Sequence, residues 1–135
     1  MSAVSPILVV EDDALIRMAL VATLKGGGYT VAECNSGAAA MILIDESAEL
    51  QGLISDINLG DGPDGWAVAH HARQRYPALA VLYVSGESVA SWTAEGVPNS
   101  LILQKPYAEA QLMTAIASLL IEAAPQQAQD GPPTD

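Results

Sequence analysis

Short apolar runs alternate along this chain with longer stretches whose apolar residues recur every three or four positions. Ile7-Leu8-Val9-Val10 is unbroken and rich in β-branched residues, which suits a strand buried on both faces. From 14 to 25, Leu15, Met18, Leu20, Val21 and Leu24 keep helical spacing. Asp12 or Asp13 stands where an N-cap is needed, and Gly26-Gly27-Gly28 stops the helix. The same rhythm repeats. Strands are expected at 29–33, 52–56, 80–84 and 100–104, and helices at 36–46, 64–76, 88–95 and 108–124. Asn58 to Pro63 reads as a long turn, and Pro77, Gly96 and Pro98 close the helices before them. Five units of strand then helix imply a parallel sheet covered on both faces.

Composition adds limits. At 135 residues, half of them apolar, the chain fits one domain with a real core, expected over 1–124. From Pro125 to 135 the sequence is rich in Pro, Gln, Gly and Asp and reads as a disordered tail. The formal charge of −11 argues against nucleic acid and against an anionic membrane, both of which need basic residues. Cations or basic protein patches are the natural complements. The single cysteine, Cys34, has no partner for a disulfide and no company for a zinc site. With no basic leader and no long apolar run, the reading is a cytoplasmic protein.

In open parallel sheets the chemistry collects beyond the carboxyl ends of the strands. There the sequence places Glu11-Asp12-Asp13 after the first strand and Asp56 after the third. Ser85-Gly86 follows the fourth and Lys105-Pro106 the fifth. Converging carboxylates repel and call for a cation. With only hard oxygen ligands in reach, Mg²⁺ fits better than zinc. A lysine ammonium and a serine hydroxyl at the same edge suit a phosphoryl group, and Gly86 leaves room for its oxygens. The set resembles phosphoryl-transfer chemistry, which is mostly positioning and charge neutralisation.

These motifs, in this order, resemble the response-regulator receiver domains of bacterial two-component signalling, over about residues 5–123. The resemblance implies a flavodoxin-like (βα)5 fold with strand order 2-1-3-4-5. It implies Asp56 as phosphoacceptor, Ser85 and Lys105 as contacts of the phosphoryl group, and Mg²⁺ bound by Asp12, Asp13, Asp56 and the Asn58 backbone carbonyl. It implies a cis peptide before Pro106. It further implies a sensor histidine kinase or histidine phosphotransfer protein as donor, and a phosphoacceptor that assists its own phosphorylation and dephosphorylation rather than a turnover enzyme. Without an output domain, such a receiver would act alone, passing its signal to another protein or serving as a phosphate sink. One position departs from the family pattern: Ile102 stands where an aromatic residue is common, three before the lysine. Ser85 replaces the commoner threonine.

Other readings compete. Asp12 and Asp13 can be helix caps, Ser85-Gly86 a turn, and Asp61 and Asp64 loop and cap residues. His70 and His71 are adjacent on a helix and point apart, so they form no pair. Trp92, on the short fourth helix, is either core or a partner contact. A phosphohydrolase of the haloacid-dehalogenase kind also uses an aspartyl-phosphate, but Glu11-Asp12-Asp13-Ala14-Leu15 lacks its motif. A receiver-like binding module that never sees phosphate is the remaining alternative.

Overall fold

The computed structural model describes residues 5–87 and 89–129. The strands are β1 (Ile7–Val10), β2 (Val31–Cys34), β3 (Gly52–Asp56), β4 (Ala80–Ser85) and β5 (Ser100–Gln104). The helices are α1 (Ala14–Gly26), α2 (Gly37–Glu46), α3 (Gly65–Arg75), α4 (Trp92–Glu95) and α5 (Glu109–Gln129). The sheet is parallel throughout, in the order β2-β1-β3-β4-β5. This is the flavodoxin-like arrangement.

Alternation along each strand sorts the core into two layers. Leu8, Val10, Leu53, Val81 and Tyr83 face α2 and α3 with Ile44, Val68 and Ala72. Ile7, Val9, Ile54, Leu82 and Val84 face α1 and α5 with Leu24, Leu112, Ile116 and Leu119. Each fully buried Leu, Ile or Val contributes about 1.5–3 kcal/mol of transfer free energy. Helix starts follow their caps. Asp13, Ser36 and Asp64 accept the backbone N–H of Ile16, Ala39 and Ala67 at 3.0, 3.1 and 2.9 Å.

Most boundaries agree with the sequence pattern to within one residue, and three elements differ by more. β2 starts at Val31, because Tyr29 still belongs to the turn closing α1, its N–H donating to the Leu24 carbonyl at 3.1 Å. The fourth helix is one turn of 3₁₀ helix at Val89–Ser91 followed by the four residues of α4. The last helix does not stop at Ala124. It runs through Pro125 to Gln129, so the tail expected from 125 is helical over its first five residues. Proline fits helical φ and costs only the bond its own N–H would have made and a clash one turn back. Residues 130–135 of that expected tail lie outside the described residues.

Candidate functional site

Parallel pairing brings four strand ends to one edge. Val10 is opposite Ser55, so Glu11 continues beside Asp56; Asp56 is opposite Val84, and Ser85 opposite Gln104. Two loop bonds carry the register past the strands: Glu11 N–H to the Cys34 carbonyl at 3.2 Å, and Lys105 N–H to the Ser85 carbonyl at 2.8 Å. The Lys105–Pro106 peptide is cis, as the family resemblance implied.

Lys105 reaches across the edge. Its Nζ donates to Glu11 Oε1 at 2.8 Å and to Asp56 Oδ2 at 3.0 Å. Glu11 is 1% exposed and Asp56 7%. Burial pushes the Glu11 carboxyl above its ordinary range, opposed by the hydrogen bonds from Lys105 and the Asp13 N–H. Burial alone would lower the Lys105 ammonium, but its hydrogen bonds to Glu11 and Asp56 outweigh that and hold its pKa above the usual lysine value. Lys105 therefore stays charged and partly neutralises the two buried carboxylates.

The carboxylates that converge are Glu11, Asp12 and Asp56, with one oxygen from each within 4.8 Å of the others. Asp13 is not among them. Its Oδ1 accepts the Ile16 N–H and its backbone N–H donates to Glu11 Oε2 at 3.1 Å, so it caps α1 from an exposed position. The reason is local. The chain turns from strand to helix at Asp13, which directs that side chain along α1 while Glu11 remains folded inward. The expected pair of Asp12 and Asp13 is thus replaced by Glu11 and Asp12 as the acids nearest Asp56.

The remaining expected residues sit as follows. Ser85 is fully buried at the end of β4, and its Oγ accepts the Glu87 N–H at 3.1 Å. Gly86 faces open space. Asn58 is exposed, two residues beyond Asp56. A groove of about 430 Å³ is lined by Ile16, Lys105, Pro106 and Tyr107. Asp64 caps α3, as anticipated. His70 and His71 diverge, one to the Glu95 carbonyl and one to the Asp45 carboxylate.

Two supports were not foreseen. Arg17 donates to the Glu11 carbonyl at 2.9 Å and to the Glu33 carboxylate at 3.2 Å, tying the acidic loop to α1 and β2. Its signal was a basic residue one turn into a helix that follows an acidic loop. Gly65 donates its N–H to the Ile57 carbonyl at 2.8 Å, and a Cβ there would collide with the Asp56 carbonyl oxygen. A glycine opening a helix after a glycine-rich turn was its only sequence trace.

The family model of the response regulator receiver domain matches residues 7–117. The chain belongs to the response regulator receiver family. A crystal structure of a response regulator receiver protein from Sinorhizobium medicae shares 37% identity with this receiver at a TM-score of 0.86, covering 89% of this chain and 97% of that one. The response regulator receiver protein CpdR of Brucella abortus is 29% identical over 87% of this receiver and 98% of its own length. The sensor kinase CckA of the same species is 30% identical over 89% of this receiver but only 13% of its own length. This receiver is thus similar both to an isolated receiver protein and to part of a much larger kinase. Receivers of this family take phosphate from histidine kinases or phosphotransfer proteins and bind Mg²⁺ at an acidic pocket. No helix among the described residues is long and apolar enough to cross a membrane.

Proposed function

We propose that this receiver accepts a phosphoryl group on Asp56 from the phosphohistidine of a sensor kinase or phosphotransfer protein, with Mg²⁺ bound at the same edge. The observation that carries it is the Lys105 ammonium, 2.8 Å from Glu11 and 3.0 Å from Asp56, at an edge where a third carboxylate, Asp12, also converges. A structural ion pair needs one partner. Three converging acids, two of them on one lysine, leave negative charge that a divalent ion and a phosphoryl group together suit.

The donor set is all hard oxygen, which fits Mg²⁺. Asp12, Asp56 and Glu11 would hold it, with the Asn58 carbonyl as the further ligand that the family pattern implies; Asp13 is committed to the α1 cap. When bound, the ion would neutralise phosphoryl oxygens. The protein's own residues do the rest. An Asp56 carboxylate oxygen forms the new O–P bond as the N–P bond of phosphohistidine breaks, and the imidazole nitrogen keeps the electron pair and takes a proton from solvent. Lys105 exchanges a carboxylate partner for a phosphoryl oxygen. Ser85, at the end of β4, offers its hydroxyl to another. Phosphorylation puts a phosphoryl group of about −1.5 to −2 charge in place of the single negative charge of the Asp56 carboxylate and carries it beyond the carboxyl, and the loop after β4 is the element that must respond. The signal then passes to a protein partner, or the chain serves as a phosphate sink, in the cytoplasm and without nucleic acid. Hydrolysis of the aspartyl-phosphate would be assisted at the same edge, where Asn58 and Glu87 flank the site.

The test is intact mass after incubation with Mg²⁺ and acetyl phosphate. A gain of about 80 Da (one phosphoryl group) that vanishes in Asp56→Asn is expected. No gain, or a gain that survives the substitution, refutes the assignment and leaves a phosphate-independent binding module.

A further inference from the structure

Residue 102, where the family often carries an aromatic, is a partly buried isoleucine that lies beside Tyr83 of β4 in the sheet. Tyr83 is fully buried. Its ring packs on Trp66, with centroids 4.6 Å apart and planes tilted by 60°. Trp66 follows Gly65, the residue pressed against the Asp56 backbone. At the other end, the Tyr83 hydroxyl accepts the Val97 N–H at 3.0 Å. The Val97 carbonyl accepts the Ser100 hydroxyl at 2.6 Å, and the Ser100 oxygen accepts the Trp92 indole N–H at 3.0 Å. Gly96 is required here, since a Cβ would run into the indole. One continuous string therefore joins the phosphoacceptor backbone to α4 and bypasses residue 102.

The far end of that string is weakly anchored. Neither the 3₁₀ turn nor α4 contains a buried residue. A four-residue helix has no stability of its own. Its place is set by what ties it: the Trp92–Ser100 and Tyr83–Val97 bonds, His70 on the Glu95 carbonyl, and Arg73 on the Pro98 and Asn99 carbonyls. The Val97 N–H is buried, so it cannot lose the Tyr83 oxygen without cost; where Tyr83 moves, the Val97 loop must follow. Ser85 lies two residues along the same strand on the same face, so a pull on its hydroxyl acts on the backbone that carries Tyr83.

We propose that in this receiver Tyr83, not residue 102, couples the phosphoacceptor to α4, and that the Trp92 indole leaves Ser100 in the phosphorylated state. Ile102 is stiff at χ1 and has no polar tip, so it packs beside the string without being a link in it. The inference rests on the phosphoacceptor reading of Asp56.

The experiment uses the full chain labelled with 5-fluorotryptophan. Trp66 and Trp92 give separate ¹⁹F resonances, assigned with Trp92→Phe. Mg²⁺ and acetyl phosphate are added and phosphoryl uptake is read by intact mass. The Trp92 resonance should move on phosphorylation in the wild-type chain. In Tyr83→Phe, which keeps the ring and removes the hydroxyl, uptake should stay within about twofold while the Trp92 response falls by at least half. Ser100→Ala, cutting the far end, should place the Trp92 resonance near its phosphorylated position before any phosphate is added; this variant decides the matter if Tyr83→Phe does not fold. A phosphorylated wild-type chain with an unmoved Trp92 overturns the coupling alone, as does a full Trp92 response in Tyr83→Phe or an unshifted resonance in Ser100→Ala. Absence of any mass gain in the wild type overturns the phosphoacceptor reading, and the coupling with it.

Discussion

Replacing Asp12 and Asp13 one at a time separates two adjacent carboxylates that the structure puts to different work. Asp12 shares a cluster with Glu11 and Asp56 whose oxygens lie within 4.8 Å of one another. A carboxylate and a divalent ion at that separation attract by about 1.7 kcal/mol in water-like surroundings and about 7 kcal/mol at an effective dielectric near 20, from which the carboxylate's desolvation and its repulsion by Glu11 and Asp56 must be subtracted. Asp12→Asn should therefore weaken Mg²⁺ binding by about 1–3 kcal/mol, roughly 5- to 150-fold. Asp13 is exposed and caps α1. Asp13→Asn keeps a good cap and removes only a screened charge, so Mg²⁺ affinity should change less than about threefold. Asp13→Ala removes the cap and should cost about 1 kcal/mol of stability, a fall in Tm of roughly 3–6 °C, with Mg²⁺ binding otherwise kept. Isothermal titration with MgCl₂ and thermal melts by circular dichroism read the two effects separately. If Asp13→Asn abolishes Mg²⁺ binding as thoroughly as Asp12→Asn, Asp13 serves the metal rather than the cap.

Lys105→Met should destabilise the Mg²⁺-free protein by about 1–3 kcal/mol at pH 7, because Glu11 and Asp56 lose their shared cation. The same variant should bind Mg²⁺ more tightly, since a competing charge is gone; urea unfolding with and without MgCl₂ shows both, and weaker binding would count against the arrangement. Gly65→Ala should cost roughly 1–3 kcal/mol by forcing a methyl against the Asp56 carbonyl, and an unchanged urea midpoint would contradict the packing. Burial pushes the Cys34 thiol above its ordinary value, so less thiolate is present at any given pH. Alkylation by iodoacetamide at pH 8 should run slower than for free cysteine and rise with pH through a midpoint above that of the free thiol. Because the folded-state value is raised, the stability from keeping this thiol neutral is complete below the unfolded-state value and is lost as pH climbs through the folded one.

The exchange of Asp13 for Glu11 shows where reading a sequence stops. Three consecutive acids after an apolar run establish that negative charge collects at a strand end. Which acid folds inward depends on where the strand gives way to the helix, and the pattern locates that point only to within a residue or two. The cap resolves it: the Ile16 N–H takes the Asp13 carboxylate and leaves Glu11 and Asp12 to the site. The length of α5 has a similar origin. A proline marks a lost hydrogen bond, and only the surrounding structure decides whether a helix tolerates that loss.

What the amino-acid order determined by itself is local or periodic. Period-two and period-3.6 patterns set the succession of strands and helices, and the fold class follows from parallel strands that must be covered on both sides. Glycines, prolines and capping residues mark most boundaries. The charged residues at strand ends place the site on one edge, because every strand of a parallel sheet delivers its carboxyl end there. What only the tertiary structure decided is non-local. Lys105 bridges to partners 94 and 49 positions away, and no pattern within one segment shows that its ammonium lies between Glu11 and Asp56. The Tyr83–Val97–Ser100–Trp92 string depends equally on a hydroxyl meeting a loop amide across the molecule. Such contacts arise from how finished elements pack. Their energies of about 1 kcal/mol each are too small to leave a mark on local propensity, yet large enough to fix one arrangement over another.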